Sequence, residues 1–82
     1  MKATVYSKDN CPWCVKAKNL LALHSEFEVT EIKIGKDITV EDFKAMLPHV
    51  RTVPQVFIDD KLIGGFEALD EYLKVFYAVQ TG

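Results

Sequence analysis

Cysteine is scarce in this 82-residue chain, with only two present. At most one disulfide can form within it, so its fold cannot rest on the disulfide framework that staples many small secreted domains. An excess of either charge is lacking too. Ten Lys and Arg stand against twelve Asp and Glu, for a formal net charge of -2. With no basic excess to neutralise phosphates, nucleic-acid binding is excluded as a main function. The longest apolar runs are only a few residues, far short of the roughly 20 that span a bilayer. No membrane association is expected. Residues 1–7 carry one cation and no continuous apolar stretch, unlike a secretion signal. The expected location is a reducing cytoplasm, where a cysteine pair is more often catalytic or metal-binding than structural.

What is present suits a compact fold. Hydrophobic residues make up 49% of the chain, more than a disordered segment carries. The length supports one domain, residues 1–82, and no apolar stripe forces a dimer, so a monomer is expected.

Residues 3–7, β-branched and aromatic, read as a short strand entering a turn at Lys8-Asp9-Asn10. Residues 12–23 have a helical pattern, with Cys14, Ala17 and Leu21 on one face and Pro12 at the first helical position. Residues 27–34 read as a strand whose alternation slips phase once, around Glu31, leaving its register open. Thr39 is a candidate N-cap for a short helix that ends near Leu47, before Pro48. Residues 55–58 and 61–63, joined by Asp59-Asp60, read as a β-hairpin. Gly64-Gly65 breaks that pattern, and residues 67–79 form a last amphipathic helix with Leu69, Leu73, Phe76, Tyr72 and Tyr77 on its buried side. The order is β-α-β-α-β-β-α. Its first β-α-β unit demands a parallel pair with a right-handed crossover. The fold class is therefore α/β, a four-stranded mixed sheet flanked by three helices. Tyr6, Phe27, Phe43, Phe57, Tyr72 and Phe76 read as core.

Both cysteines lie in Cys11-Pro12-Trp13-Cys14, at the junction of the first strand and first helix. A C-x-x-C in that context reads as redox chemistry. Cys11 falls at the N-cap, where free backbone N–H groups and the helix dipole favour a thiolate. Lys8 adds a nearby cation, and both effects lower a thiol pKa. Cys14 lies three residues on, within disulfide reach and on the core side of the helix. The mechanism expected is attack by the Cys11 thiolate on an external disulfide, followed by resolution through Cys14 or by a free thiol. Zinc would need four ligands, and His24 and His49, the only histidines, lack the spacing to complete a site. No metal is expected. An iron–sulfur cluster shared by two chains through Cys11 is the alternative from a different class.

The residues resemble the glutaredoxins over nearly the whole chain. Val5-Tyr6-Ser7-Lys8-Asp9-Asn10-Cys11-Pro12-Trp13-Cys14 is similar to that family's first strand, basic residue and C-P-Y-C site. Arg51-Thr52-Val53-Pro54-Gln55-Val56-Phe57-Ile58-Asp59 resembles its T-V-P-Q-I-F segment, and Ile63-Gly64-Gly65-Phe66-Glu67 its I-G-G turn. The resemblance implies a thioredoxin-like fold, with glutathione as reducing co-substrate and no bound cofactor. It implies a glutathione site made by Lys8, Pro12, Trp13, Thr52, Val53, Pro54, Gly65, Phe66 and Glu67. In it Pro54 is cis, and Val53 offers its backbone to the cysteine part of glutathione. Lys8 meets a carboxylate, and Gly65, Phe66 and Glu67 border the γ-glutamyl end. Residues alone say only that Val53 is extended and the turn stiff. Disulfide proteins, ribonucleotide reductase among them, are the implied partners. Two departures stand out: Trp13 replaces the usual Tyr, and Ala68 occupies a place where many members have an Asp. The second leaves a redoxin reduced by thioredoxin reductase as an alternative within the same fold.

Overall fold

The computed structural model describes residues 1–81, with side chains for residues 1–77. The elements are β1 (Lys2–Ser7), α1 (Pro12–Ala22), β2 (Glu28–Lys33), α2 (Val40–Met46), β3 (Gln55–Ile58), β4 (Lys61–Gly64) and α3 (Phe66–Thr81). This is the order expected from the sequence. The strands form one sheet in the order β2-β1-β3-β4. β1 runs parallel to β2 and antiparallel to β3, and β4 returns antiparallel to β3. Among the described residues no helix is long and apolar enough to cross a membrane.

The central strand explains the layers. Ala3, Val5 and Ser7 alternate along β1 and are fully buried on one face. With Val56 and Ile58 of β3 they meet Ala17 and Leu21 of α1, Phe27, and Leu69 and Leu73 of α3. Each fully buried Val or Leu there contributes roughly 1.5–3 kcal/mol of hydrophobic stabilisation. On the other face Tyr6 packs against Phe43 of α2 and Phe57 of β3, with ring centroids 5.6 and 5.7 Å away. Phe27 and Phe43 are buried as expected; Tyr6, Phe57, Tyr72 and Phe76 are only half-buried, at the margins of the two layers.

The phase slip in β2 has a topological cause. β2 lies at the sheet edge with its register unbroken: Glu31 pairs with Val5, and Ile32 with Tyr6. Partners across a parallel pair share a face. Glu31 therefore lies on the α1 side, where Lys18 meets it, and Ile32 lies on the α2 side. Phe27, expected to begin this strand, precedes it. α1 ends at Ala22 instead of Leu23, which caps it by donating its N–H to the Asn19 carbonyl at 3.2 Å. Thr39 caps α2 as expected, its hydroxyl oxygen accepting from the Asp42 N–H at 3.0 Å. Asp59 and Asp60 both have positive φ, 49° and 68°, which suits a two-residue hairpin turn. β4 extends one residue further than expected, to Gly64.

Candidate active site

The chain leaves β1 through Lys8-Asp9-Asn10, where Asn10 takes a left-handed φ of 57° and turns it into α1. Asn tolerates that conformation better than most residues. Cys11 is then the extended N-cap residue, Pro12 opens the helix, and Cys14 sits one turn in on its buried face. The two cysteines form a disulfide, with Cα atoms 5.3 Å apart. The Cys14 N–H donates to Cys11 Sγ at 3.2 Å. In the reduced state the same free amide, at the positive end of α1, is placed to stabilise a Cys11 thiolate. Cys11 keeps 9% of its surface exposed and Cys14 1%, so an incoming sulfur reaches Cys11 first.

Every residue expected in the glutathione site borders one of two depressions that meet at Trp13, Thr52 and Val53. Trp13, Thr52, Val53, Pro54, Gly65, Phe66 and Glu67 line a cleft of about 520 Å³, with Ala68 on its wall. Lys8, Pro12 and Cys11 line a larger groove of about 1100 Å³, which shares Trp13, Thr52 and Val53 with the cleft. The Val53-Pro54 bond is cis. Trp13 is 51% exposed and tilts against Phe66, with centroids 5.4 Å apart, while Lys16 Nζ lies 4.2 Å from its ring centre. That cation–π contact gives the indole a fixed neighbour without burying it.

The glycine that this corner requires is Gly64. Its φ is 126°, and a Cβ there would lie 3.0 Å from the Ala68 Cβ. Gly65, expected as the site glycine, would bring a Cβ only to an ordinary 3.5 Å from the Pro54 carbonyl oxygen. Gly64 makes the positive-φ turn that brings the start of α3 to the cleft.

The reading from residues missed two groups. One lies beside the disulfide, in a hollow lined by both cysteines, Lys18, Glu31 and Lys33. The Glu31 carboxylate accepts from Lys18 Nζ at 2.7 Å and from the fully buried Ser7 hydroxyl at 2.6 Å. Those two hydrogen bonds, the lysine's first, hold its carboxyl below the usual carboxylate range. Asp9, in the turn before Cys11, pairs with Lys33 at 2.9 Å, which lowers the Asp9 carboxyl and raises the lysine. The available signal was the position of Glu31 in the apolar phase of β2. The other missed group is Lys44, Arg51, Val40, Phe43, Pro48 and Val50, which form the far wall of the larger groove. Arg51 adjoins Thr52, but nothing local marks Lys44. Among the described residues no three His, Cys, Asp or Glu side chains gather as a metal site.

Comparison with known proteins agrees with this corner. The family model described as Glutaredoxin matches residues 3–63, from β1 to β4. The chain belongs to the glutaredoxin family. A glutaredoxin of Haemophilus influenzae is 41% identical over 78 residues, covering 84% of this chain and 90% of its own length. Hybrid peroxiredoxin hyPrx5 of the same organism is 41% identical over 70 residues, and the match spans only 28% of that longer protein. Among solved structures, glutaredoxin 1 from Francisella tularensis, complexed with cacodylate, superposes with a TM-score of 0.73 at 28% identity, over 94% of this chain and 96% of that one. A buckwheat glutaredoxin–glutathione complex superposes with a TM-score of 0.64 at 25% identity, over 95% and 73%. The fold is thioredoxin-like, and the chain is a thiol–disulfide oxidoreductase like the rest of its family.

Proposed function

We propose that the chain reduces protein disulfides and glutathione mixed disulfides at Cys11-Pro12-Trp13-Cys14, with glutathione as reductant. Cys11 is the nucleophile and Cys14 the resolving thiol. The observation that carries this reading is the Cys11–Cys14 disulfide at the N-terminus of α1, with the Cys14 amide donating to the more exposed Cys11 sulfur. Glutathione occupies the cleft between Trp13 and Phe66. Pro12 sets the first turn, while Thr52, Val53 and Pro54 present an extended backbone edge to the tripeptide. Lys8 meets one of its carboxylates, and Gly65, Phe66 and Glu67 border its γ-glutamyl end. The glutathione complex formed by the buckwheat relative supports this choice of ligand. The enzyme works as a cytoplasmic monomer, a single domain over residues 1–82 that needs no bound cofactor, and ribonucleotide reductase is one candidate protein substrate.

Ala68 on the cleft wall favours weighing a second donor, because it supplies no charge for the γ-glutamyl ammonium. Reduction of the oxidised chain by glutathione and by NADPH with thioredoxin reductase, run side by side, separates the two. Glutathione is expected to reduce it efficiently. Reduction by the reductase alone would replace this reading with a thioredoxin-reductase-dependent redoxin of the same fold. Visible absorption and labile sulfide after anaerobic purification, without disulfide turnover, would instead make it an iron–sulfur carrier.

A further inference from the structure

Cys14 borders neither the groove nor the cleft of the glutathione site. It borders a third depression, the hollow of about 480 Å³ on the β2 side. That placement matters for the resolving step. Once Cys11 is joined to glutathione, the tripeptide fills the cleft, and Cys14 has still to lose a proton before it can attack. With 1% of its surface exposed, it does so toward the hollow.

The hollow sets two opposite charges beside that sulfur. Lys18 follows Cys14 by four residues in α1, on the same helical face. Its ammonium is held at 2.7 Å by Glu31 of β2, and Glu31 is fixed in turn by the fully buried Ser7 hydroxyl at 2.6 Å. The two side chains keep only 30% and 28% of their surface exposed, so solvent ions screen them less than charges on the surface. With its carboxyl held below the usual range, Glu31 is charged at neutral pH. The remaining charged groups of the hollow are Lys8, Asp9 and Lys33, and Asp9 pairs with Lys33 on the surface. The β1 and β3 residues buried under α1 are uncharged. On α3, which packs on the same core, Glu67 borders the glutathione cleft and Asp70 pairs with Lys74.

We propose that the Lys18–Glu31 pair governs the proton of Cys14: Lys18 favours the thiolate, Glu31 opposes it, and their pairing holds the two in balance. The proposal rests on the reading of Cys14 as the resolving thiol. In that step Cys14 gives its proton to solvent through the hollow, and its electron pair forms the bond to Cys11 Sγ. The bond from Cys11 to the substrate sulfur breaks, and that sulfur leaves as a thiolate that takes a proton from water. Cys14 is oxidised and the substrate sulfur reduced. When a glutathione thiolate later attacks Cys11, Cys14 is the leaving thiolate, and the same two charges face it.

The test is the pH dependence of resolution. Acid-quenched time courses after mixing the reduced enzyme with glutathione disulfide separate formation of the Cys11–glutathione mixed disulfide from its decay to the Cys11–Cys14 bond. Lys18→Gln leaves Glu31 alone and is expected to slow the decay about threefold below its plateau, displacing the profile about half a pH unit to the alkaline side. Glu31→Gln leaves Lys18 alone and should displace it by a similar amount to the acid side, with the plateau rate unchanged in both. The two variants break the same ion pair, so a merely structural role would move both alike. The double variant lacks the pair and both charges and should return to the parent profile, and Lys18→Arg should keep it. The carbon NMR shift of labelled Cys14 in Cys11→Ser chains, where it is the only thiol, reads the same titration without turnover and should move in the same directions. Displacements in one direction, none from either variant, or a double variant as far from the parent as a single one would overturn the proposal. A mixed disulfide that never decays to the Cys11–Cys14 bond in the unmodified enzyme would instead overturn the reading of Cys14 beneath it, and the NMR titration would still decide the part played by the ion pair.

Discussion

Two sides of the Cys11–Cys14 pair handle their charges in opposite ways. Toward β2, Glu31 takes up Lys18 and the buried Ser7 hydroxyl, and Asp9 takes up Lys33. Toward α2, Lys8, Lys44 and Arg51 stand exposed around an apolar wall, and among the described residues no acidic side chain lines it. The first side is a closed account of donors and acceptors, and it ties the end of β1 to the edge strand and to α1. The second leaves its donors for a ligand. Charges paired within the fold hold neighbouring elements together beside the disulfide, whereas those on the other rim have no ion-pair partner among the described residues.

Cys11→Ser alters the sulfur that both sides share and has the largest effect. Glutathione-coupled disulfide reduction falls to background in this variant, whereas Cys14→Ser keeps a route through the mixed disulfide with glutathione. Full turnover by Cys11→Ser would assign the nucleophile elsewhere. A smaller change follows from adding a charge to the cleft wall. Ala68→Asp should lower the KM for glutathione several-fold by meeting its ammonium group, equivalent to about 1 kcal/mol. An unchanged KM would mean that Glu67 or backbone contacts already suffice.

The paired side should answer in stability more than in rate. Glu31→Gln is expected to lower the urea midpoint at neutral pH by the equivalent of about 1 kcal/mol or less. The folded-state carboxyl lies below its ordinary 4.5. Its contribution is therefore present above that unfolded value and is lost as pH falls through the folded one. The gap between parent and variant should close in acid; a gap independent of pH would trace the loss to packing instead of charge. Asp9→Asn should do least. Its partner Lys33 is on the surface, and the carboxylate is 76% exposed, so any shift in midpoint should be confined to low salt.

Much of the fold was legible because its signals are local. The cap at Thr39, the proline opening α1 and the turn at Asp59-Asp60 each involve neighbours in the chain, and the structure keeps all three. Glu31 was legible only as an irregularity. It broke the alternation of β2, and its meaning appeared once the parallel register set it against Val5 and within reach of Lys18, on a different element. Gly64 and Gly65 looked equivalent as a pair. Only the backbone angle and the nearness of Ala68 show which of them must lack a side chain. Of the groove wall, Arg51 stood next to a recognised segment, but Lys44 and Val40 are surface positions of a short helix and carry no local mark.

The order of elements and the placing of a cysteine pair at a helix N-terminus were determined by the sequence alone. Periodicity, capping and turn formation act over a few residues, and a C-x-x-C needs no distant partner to be in disulfide range. Which cations are neutralised and which remain available was decided by tertiary structure. Coulomb attraction depends on separation in space, and β1, β2 and α2 bring together charges that lie tens of residues apart in the chain. The chain's slight net negative charge conceals a positive groove for that reason. The scarce cysteines lie where a closed, self-paired network adjoins an open basic surface, an arrangement that only the folded chain produces.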